Sequence, residues 1–226
     1  MTTLFNSCGK PMHTAHEVLI RPDDQALSER IADALASDGW IVLPKAISAE
    51  ATAALAAEIR EQFAAGAFHR AGVGKSGQLQ VVNEVRGDHV NWLEQDSAAP
   101  LQRAWLDWLQ QLSGELNRHL YLGLQEFEGH AAIYPPGSFY KKHLDQFRGT
   151  SERSVTAILY LNQNWQAQDG GQLRLYLDDD CREYRDIQPE AGTLVVFLAA
   201  RFYHEVLTSQ RERIALTGWF KRRSLR

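Results

Sequence analysis

Only two cysteines, Cys8 and Cys181, occur in the 226 residues. Two thiols are too few for a disulfide framework or a thiolate metal cluster, so a reducing cytoplasm is the expected compartment. Positive charge is also scarce: 24 Lys and Arg stand against 28 Asp and Glu, giving a net charge of −4 and a pI near 6.1. Long-range attraction to a phosphate backbone is therefore missing, and nucleic acid is not expected as a partner. No apolar run approaches bilayer-spanning length, and residues 1–22 lack the apolar stretch and small-residue cleavage site of a secretory leader. Neither a membrane nor export is expected, and residues 1–22 should be loose. What is present, 44% hydrophobic and 23% charged residues, is ordinary globular composition at a length suited to one domain. A monomer built from a single domain over 1–226 is expected.

Hydrophobic periodicity divides that chain in two. Leu27, Ile31 and Leu35 recur at four-residue steps and stop at Asp38-Gly39; Leu55, Ile59 and Phe63 repeat the pattern after Ser48, an N-cap candidate. A third helix is marked by Leu101, Trp105, Trp108, Leu109, Leu112 and Leu116, whose aromatic stripe reads as core. Trp40 to Leu43 is too short for a helix and reads as a strand. From Phe127 the pattern becomes β-rich runs at 131–134, 154–161, 173–177, 193–198 and 214–220, punctuated by Pro135-Pro136-Gly137, Asp169-Gly170-Gly171 and Ala191-Gly192. Helices first and strands afterwards predict an α+β fold. Residues 23–125 would supply helical support and a loop, and residues 126–220 a jelly-roll carrying the site.

His143-Leu144-Asp145 follows a strand-like segment, and residues two apart on an extended chain share a side. Composition alone gives such a pair in about half of chains like this one, so it means little by itself. His204 in a later β-rich run and Arg213 at the start of the next change the weight. Two imidazoles and one carboxylate on one face of a metal leave positions open, which suits Fe(II) and oxygen chemistry better than a closed zinc site. Two open positions could take a chelating keto acid and one O₂, while the planar fork of Arg213 matches the far carboxylate of a dicarboxylate. By alternation Arg213, Ala215, Thr217 and Trp219 share a face. His13, His16, His69, His89, His119 and His130 lack such a partner pattern and read as surface or core.

With those residues in place, the chain resembles the prolyl hydroxylases of the oxygen-sensing type, a branch of the 2-oxoglutarate oxygenases. The resemblance is carried by Arg86-Gly87-Asp88 with Trp92, Tyr134-Pro135-Pro136-Gly137, Tyr140-Lys141-Lys142-His143-Leu144-Asp145, Tyr160-Leu161-Asn162 with Trp165, Gly170-Gly171-Gln172-Leu173-Arg174, His204-Glu205-Val206, and the run from Arg213 to Phe220. It implies a double-stranded β-helix core with N-terminal buttressing helices. Iron would sit on His143, Asp145 and His204, and 2-oxoglutarate on Arg213 and Tyr160. Tyr134, Ile158, Thr217 and Trp219 would wall the pocket. O₂ would be the oxidant and ascorbate a candidate reductant. Arg86, Gly87, Asp88 and Trp92 match a segment that folds over the peptide in such enzymes, and the polar stretch 72–80 before them reads as a long loop. Gly74-Lys75-Ser76 ends like a phosphate loop, but His69 stands where the leading glycine is needed, so nucleotide binding is excluded. The implied substrate is a prolyl residue of a protein, hydroxylated at C4, with elongation factor Tu as a candidate. The competing readings are hydroxylation of a free amino acid or other small molecule, and a cupin-like metal protein without oxygenase activity.

Overall fold

The computed structural model describes residues 24–72, 82, 84–96, 98–146 and 152–222. The expected loose N-terminus and most of the expected loop, including Gly74-Lys75-Ser76, lie outside the described residues. Helix α1 (Asp24–Ser37) buries Ile31, Ala32 and Leu35 and stops as expected, the Asp38 and Gly39 N–H groups both donating to the Ala34 carbonyl. Gly39 has φ 84°, a turn that a residue without Cβ takes at little cost. Helix α2 (Ala49–Ala64) starts at Ser48, whose hydroxyl accepts from the Ala51 N–H at 3.1 Å. Helix α3 (Pro100–Leu120) packs Trp105 on Trp108 with ring centroids 5.0 Å apart, so its aromatic stripe is core. Its N-cap, Ala99, has no side-chain acceptor; Glu58 Oε1 on α2 takes the Leu101 N–H instead and ties the two helices together.

The strands are β1 (Trp40–Leu43), β2 (His69–Arg70), β3 (His89–Trp92), β4 (Leu124–Tyr134), β5 (Tyr140–His143), β6 (Arg153–Tyr160), β7 (Leu173–Tyr176), β8 (Tyr184–Ile187), β9 (Leu194–Leu198), β10 (His204–Val206) and β11 (Arg213–Arg222). They form a seven-stranded sheet in the order β1-β9-β6-β11-β4-β3-β2 and a four-stranded sheet in the order β5-β10-β7-β8. Every strand pairing is antiparallel. Period-two alternation sorts the side chains of the large sheet. Val155, Ala157 and Leu159 on β6 join Ile214, Leu216 and Phe220 on β11 in one core with the helices, whereas Ile158, Tyr160 and Ala215 face Leu173, Leu175 and Ile187 of the small sheet. Helices cover one face and a second sheet the other, the α+β double-sheet arrangement that the sequence predicts.

Two details differ from the expectation. β4 runs eleven residues rather than four, because Gln125, Glu126 and Glu128 in its first half are not buried and break the apolar pattern. β1 is the strand expected at Trp40–Leu43, but β2 and β3, also before residue 125, join it in the large sheet, so the N-terminal part supplies more strand than expected. No helix among the described residues is long and apolar enough to cross a membrane.

Candidate metal and co-substrate site

The small sheet brings the two histidines together. His143 closes β5, His204 opens β10, and they are direct cross-strand partners. Their rings leave on the same face with centroids 4.3 Å apart. Asp145, two residues past His143, places its carboxylate 3.6 Å from His143 Nε2 and 3.5 Å from His204 Nε2. Ligating atoms of the three lie within 4.8 Å of one another, close enough for one ion to bridge.

Each group is oriented from behind. His143 Nδ1 lies 2.8 Å from the Lys141 carbonyl, and His204 Nδ1 lies 3.1 Å from the Phe202 carbonyl. A carbonyl only accepts, so each Nδ1 carries the proton and each Nε2 keeps its lone pair for a metal. Thr156 Oγ1 on β6 donates to Asp145 Oδ2 at 2.7 Å. Burial opposes the charge on Asp145, but His204 and His143 outweigh it and hold the carboxyl well below the usual carboxylate range. Burial pushes His204 down to about 4 against the pull of Asp145, leaving a neutral imidazole near pH 7. Tyr140 stacks on His143 at 3.7 Å, and Arg86, paired with Asp88 through two hydrogen bonds of 2.7 and 2.6 Å, lies 4.2 Å over the Tyr140 ring.

Arg213 opens β11 on the inner face and is only 2% exposed. Its Nε donates to the Gly171 carbonyl at 2.9 Å. That close approach needs glycine: Gly171 has φ 66°, and a Cβ there would stand 3.2 Å from Arg213 Cδ. The guanidinium carbon sits 4.9 Å from the ring centroids of both Tyr134 and Tyr160. Among the described residues no carboxylate pairs with it. The Tyr160 hydroxyl is buried without a hydrogen-bond partner; burial raises it to about 12 despite the nearby Arg213, so it remains a donor. A buried cation without an anion beside a buried donor without an acceptor is an incomplete arrangement, and a carboxylate would complete both.

One cavity joins these halves. His143, Asp145, His204 and Arg213 line it together with Tyr134, Ile158, Thr217 and Trp219, and Arg86 and Trp92 also contribute. Tyr160, Gly87 and Asp88 do not line it: Tyr160 is completely buried against Arg213, Asp88 is buried under its ion pair with Arg86, and Gly87 is half-buried. Several lining residues escaped the site expected from sequence, three of them Tyr140, Arg153 and His130. Tyr140 backs His143, and Arg153 lies 3.5 Å over the Trp219 ring while bonding Glu128 at 2.8 Å. The third, His130, was set aside for lack of a metal-binding partner. Its spacing could have found it, because it stands four residues before Tyr134 on one strand and so on the same face. The donor set fits Fe(II), with two imidazole nitrogens and one carboxylate on one side, and the Arg213–Tyr160 pair fits the far carboxylate of a keto diacid.

Comparison with known proteins points the same way. Residues 129–221 match the model of the 2OG-Fe(II) oxygenase superfamily. The chain is 29% identical over 216 residues to the hypoxia-inducible factor prolyl hydroxylase of Caenorhabditis elegans, covering 88% of this chain and 29% of that protein. The chain spans less than two thirds of the length of the curated relatives it matches. Among solved structures, a Pseudomonas putida prolyl-4-hydroxylase is 42% identical with a TM-score of 0.76, covering 87% of this chain and 99% of the other. A Trichoplax adhaerens prolyl hydroxylase in complex with a hypoxia inducible factor peptide fragment is 25% identical with a TM-score of 0.79, covering 88% and 90%.

Proposed function

The chain belongs to the prolyl-hydroxylase-like Fe(II)- and 2-oxoglutarate-dependent oxygenases, and from that membership we propose that it hydroxylates a prolyl residue of a protein at C4. The observation that carries the reading is Arg213: a buried guanidinium with no counter-carboxylate among the described residues, lining the same cavity as a two-histidine, one-carboxylate cluster. A metal hydrolase would have no use for that unpaired cation.

His143, Asp145 and His204 would hold iron, and Arg213 with the Tyr160 hydroxyl would hold the far carboxylate of 2-oxoglutarate. Iron with bound 2-oxoglutarate supplies the oxidative chemistry, in which one oxygen atom of O₂ enters a substrate C–H bond and the other leaves in succinate as CO₂ is lost. The protein contributes position and dryness. The carbonyls of Lys141 and Phe202 keep both Nε2 atoms unprotonated, and Thr156 fixes the Asp145 carboxylate. Tyr134, Ile158, Thr217 and Trp219 wall the cavity against water, while Arg86 and Trp92 place the peptide, with Gly87 and Asp88 behind them. On this reading residues 126–220 form the catalytic core and 23–125 its support, in one cytoplasmic domain. Elongation factor Tu is the first candidate target, as the family resemblance of the sequence implies.

The test is succinate formation from 2-oxoglutarate under O₂ with Fe(II) and ascorbate, with and without purified elongation factor Tu, followed by mass spectrometry for +16 Da on proline. Stimulated succinate with hydroxyproline is expected. Turnover without hydroxyproline would overturn the prolyl substrate, and no iron-dependent turnover would overturn the oxygenase reading.

A further inference from the structure

His130 is 4% exposed and lies on β4 directly opposite Thr217 on β11 and Trp92 on β3, so the three side chains share the inner face. It lines the cavity, packed edge-on to Trp92 with centroids 5.1 Å apart and tilted against Trp219 at 5.5 Å. Its Nδ1 is buried with no hydrogen-bond partner. Several other charged or imidazole groups that line the cavity have partners: Arg86 has Asp88, Arg153 has Glu128, Arg213 has Gly171, and the ligand histidines have their carbonyls. Burial, with Arg86 and Arg153 nearby, pushes His130 down to about 3, so at working pH it carries one N–H and no charge. Packing alone, between the rings of Trp92 and Trp219, would be met by an apolar residue. A prolyl residue, for its part, has no N–H, and its main chain can be held only by a donor to its carbonyl.

We propose that His130 is a substrate-contacting specificity residue whose imidazole N–H donates to the main-chain carbonyl of the prolyl residue being hydroxylated. The inference rests on the prolyl reading above. It goes further by naming the group that distinguishes a peptide from a free small molecule in this cavity.

The experiment compares wild type with His130→Leu, which removes the donor, and His130→Gln, which keeps an N–H. The probe is elongation factor Tu or, if the wild type leaves it unmodified, a set of N-acetylated, C-amidated pentapeptides with central proline. Affinity is read without turnover, by fluorescence anisotropy with Zn(II) in place of iron; KM, the hydroxyproline-to-succinate ratio and Tm are read beside it. His130→Leu should bind the probe about tenfold more weakly, as loss of one hydrogen bond implies. It should also uncouple succinate from hydroxyproline, keep the KM for 2-oxoglutarate, and melt no lower than wild type. His130→Gln should restore part of the affinity, which a packing role would not. If folded His130→Leu bound and hydroxylated the probe like wild type, or folded His130→Gln restored none of the lost affinity, the proposal would fall while the prolyl reading stood. A wild type that turns over 2-oxoglutarate yet hydroxylates no probe would overturn both.

Discussion

On the face of the seven-stranded sheet turned to the helices, β6 and β11 present Val155, Ala157, Leu159, Ile214, Leu216 and Phe220, none more than 1% exposed. The opposite face of the same two strands presents Thr156, Ile158, Tyr160, Arg213, Ala215, Thr217 and Trp219, all buried except the half-buried Thr217. Depth is similar and chemistry is not. One face is aliphatic and aromatic, closed by α1, α2 and α3; the other holds a cation with no counter-carboxylate among the described residues, the Thr156 hydroxyl bonded to Asp145 and the unpartnered Tyr160 hydroxyl. The contrast shows how the fold tolerates unsatisfied polar groups: the helix-side core stabilises the strands, so the inner face is free to stay incomplete until a ligand arrives.

The largest effect should come from breaking the inner face at the metal. Asp145→Ala removes the only carboxylate of the cluster and the acceptor for Thr156, and should abolish iron-dependent succinate formation and iron retention while leaving the far-ultraviolet circular dichroism of the sheets intact. Retained turnover would show that these three residues are not the metal site. The counterpart on the helix side is Leu159→Ala. A completely buried leucine truncated in a packed core should cost about 2–5 kcal/mol of stability by denaturant unfolding. The surviving folded protein should still gain Tm when 2-oxoglutarate is added with Mn(II), because no inner-face group is lost. Disappearance of that ligand-induced gain would mean that the two faces are not separable.

Arg213→Met should do the reverse and is expected to be smaller in stability. It exchanges an unpaired buried cation for an apolar chain, so Tm without ligand should hold or rise, yet the 2-oxoglutarate-induced gain, about 2.7 kcal/mol in wild type at a hundredfold excess over Kd, should vanish. A variant that still gained Tm with 2-oxoglutarate would remove Arg213 from the co-substrate site.

The same two faces explain how much could be read in advance. The helix side announces itself: Leu27, Ile31, Leu35 and the Trp105–Leu116 stripe follow helical period, and Ser48 caps α2 where its sequence position suggests. The His-x-Asp pair and Arg213 were visible because ligand chemistry restricts residue type. The small sheet that unites them was less so. β8 is an edge strand whose Tyr184, Arg185 and Asp186 are exposed and only Ile187 buried, with no apolar alternation to mark it, and β2 is two residues long. The pairing of His143 with His204 is a tertiary fact, set by β5 and β10 lying side by side, that no local pattern encodes. His130 has no metal-binding partner pattern in the sequence, whereas the alternation along β4 puts it on the same face as Tyr134.

The smallest expected effect tests whether the unpartnered hydroxyl belongs to the inner face's chemistry or to its packing. Tyr160→Phe keeps the completely buried ring and deletes only an oxygen that has no hydrogen-bond partner. On the helix side such a change would be silent or stabilising, since removing an unsatisfied polar atom relieves a desolvation cost. Here the same gain in ligand-free Tm should be accompanied by a rise in the KM for 2-oxoglutarate of about fivefold to tenfold, the worth of one hydrogen bond to a carboxylate already held by Arg213. The two readouts should therefore move in opposite directions, the more stable protein binding its co-substrate less well. If KM stayed fixed while Tm rose, Tyr160 would be a packing residue and Arg213 would hold the carboxylate alone.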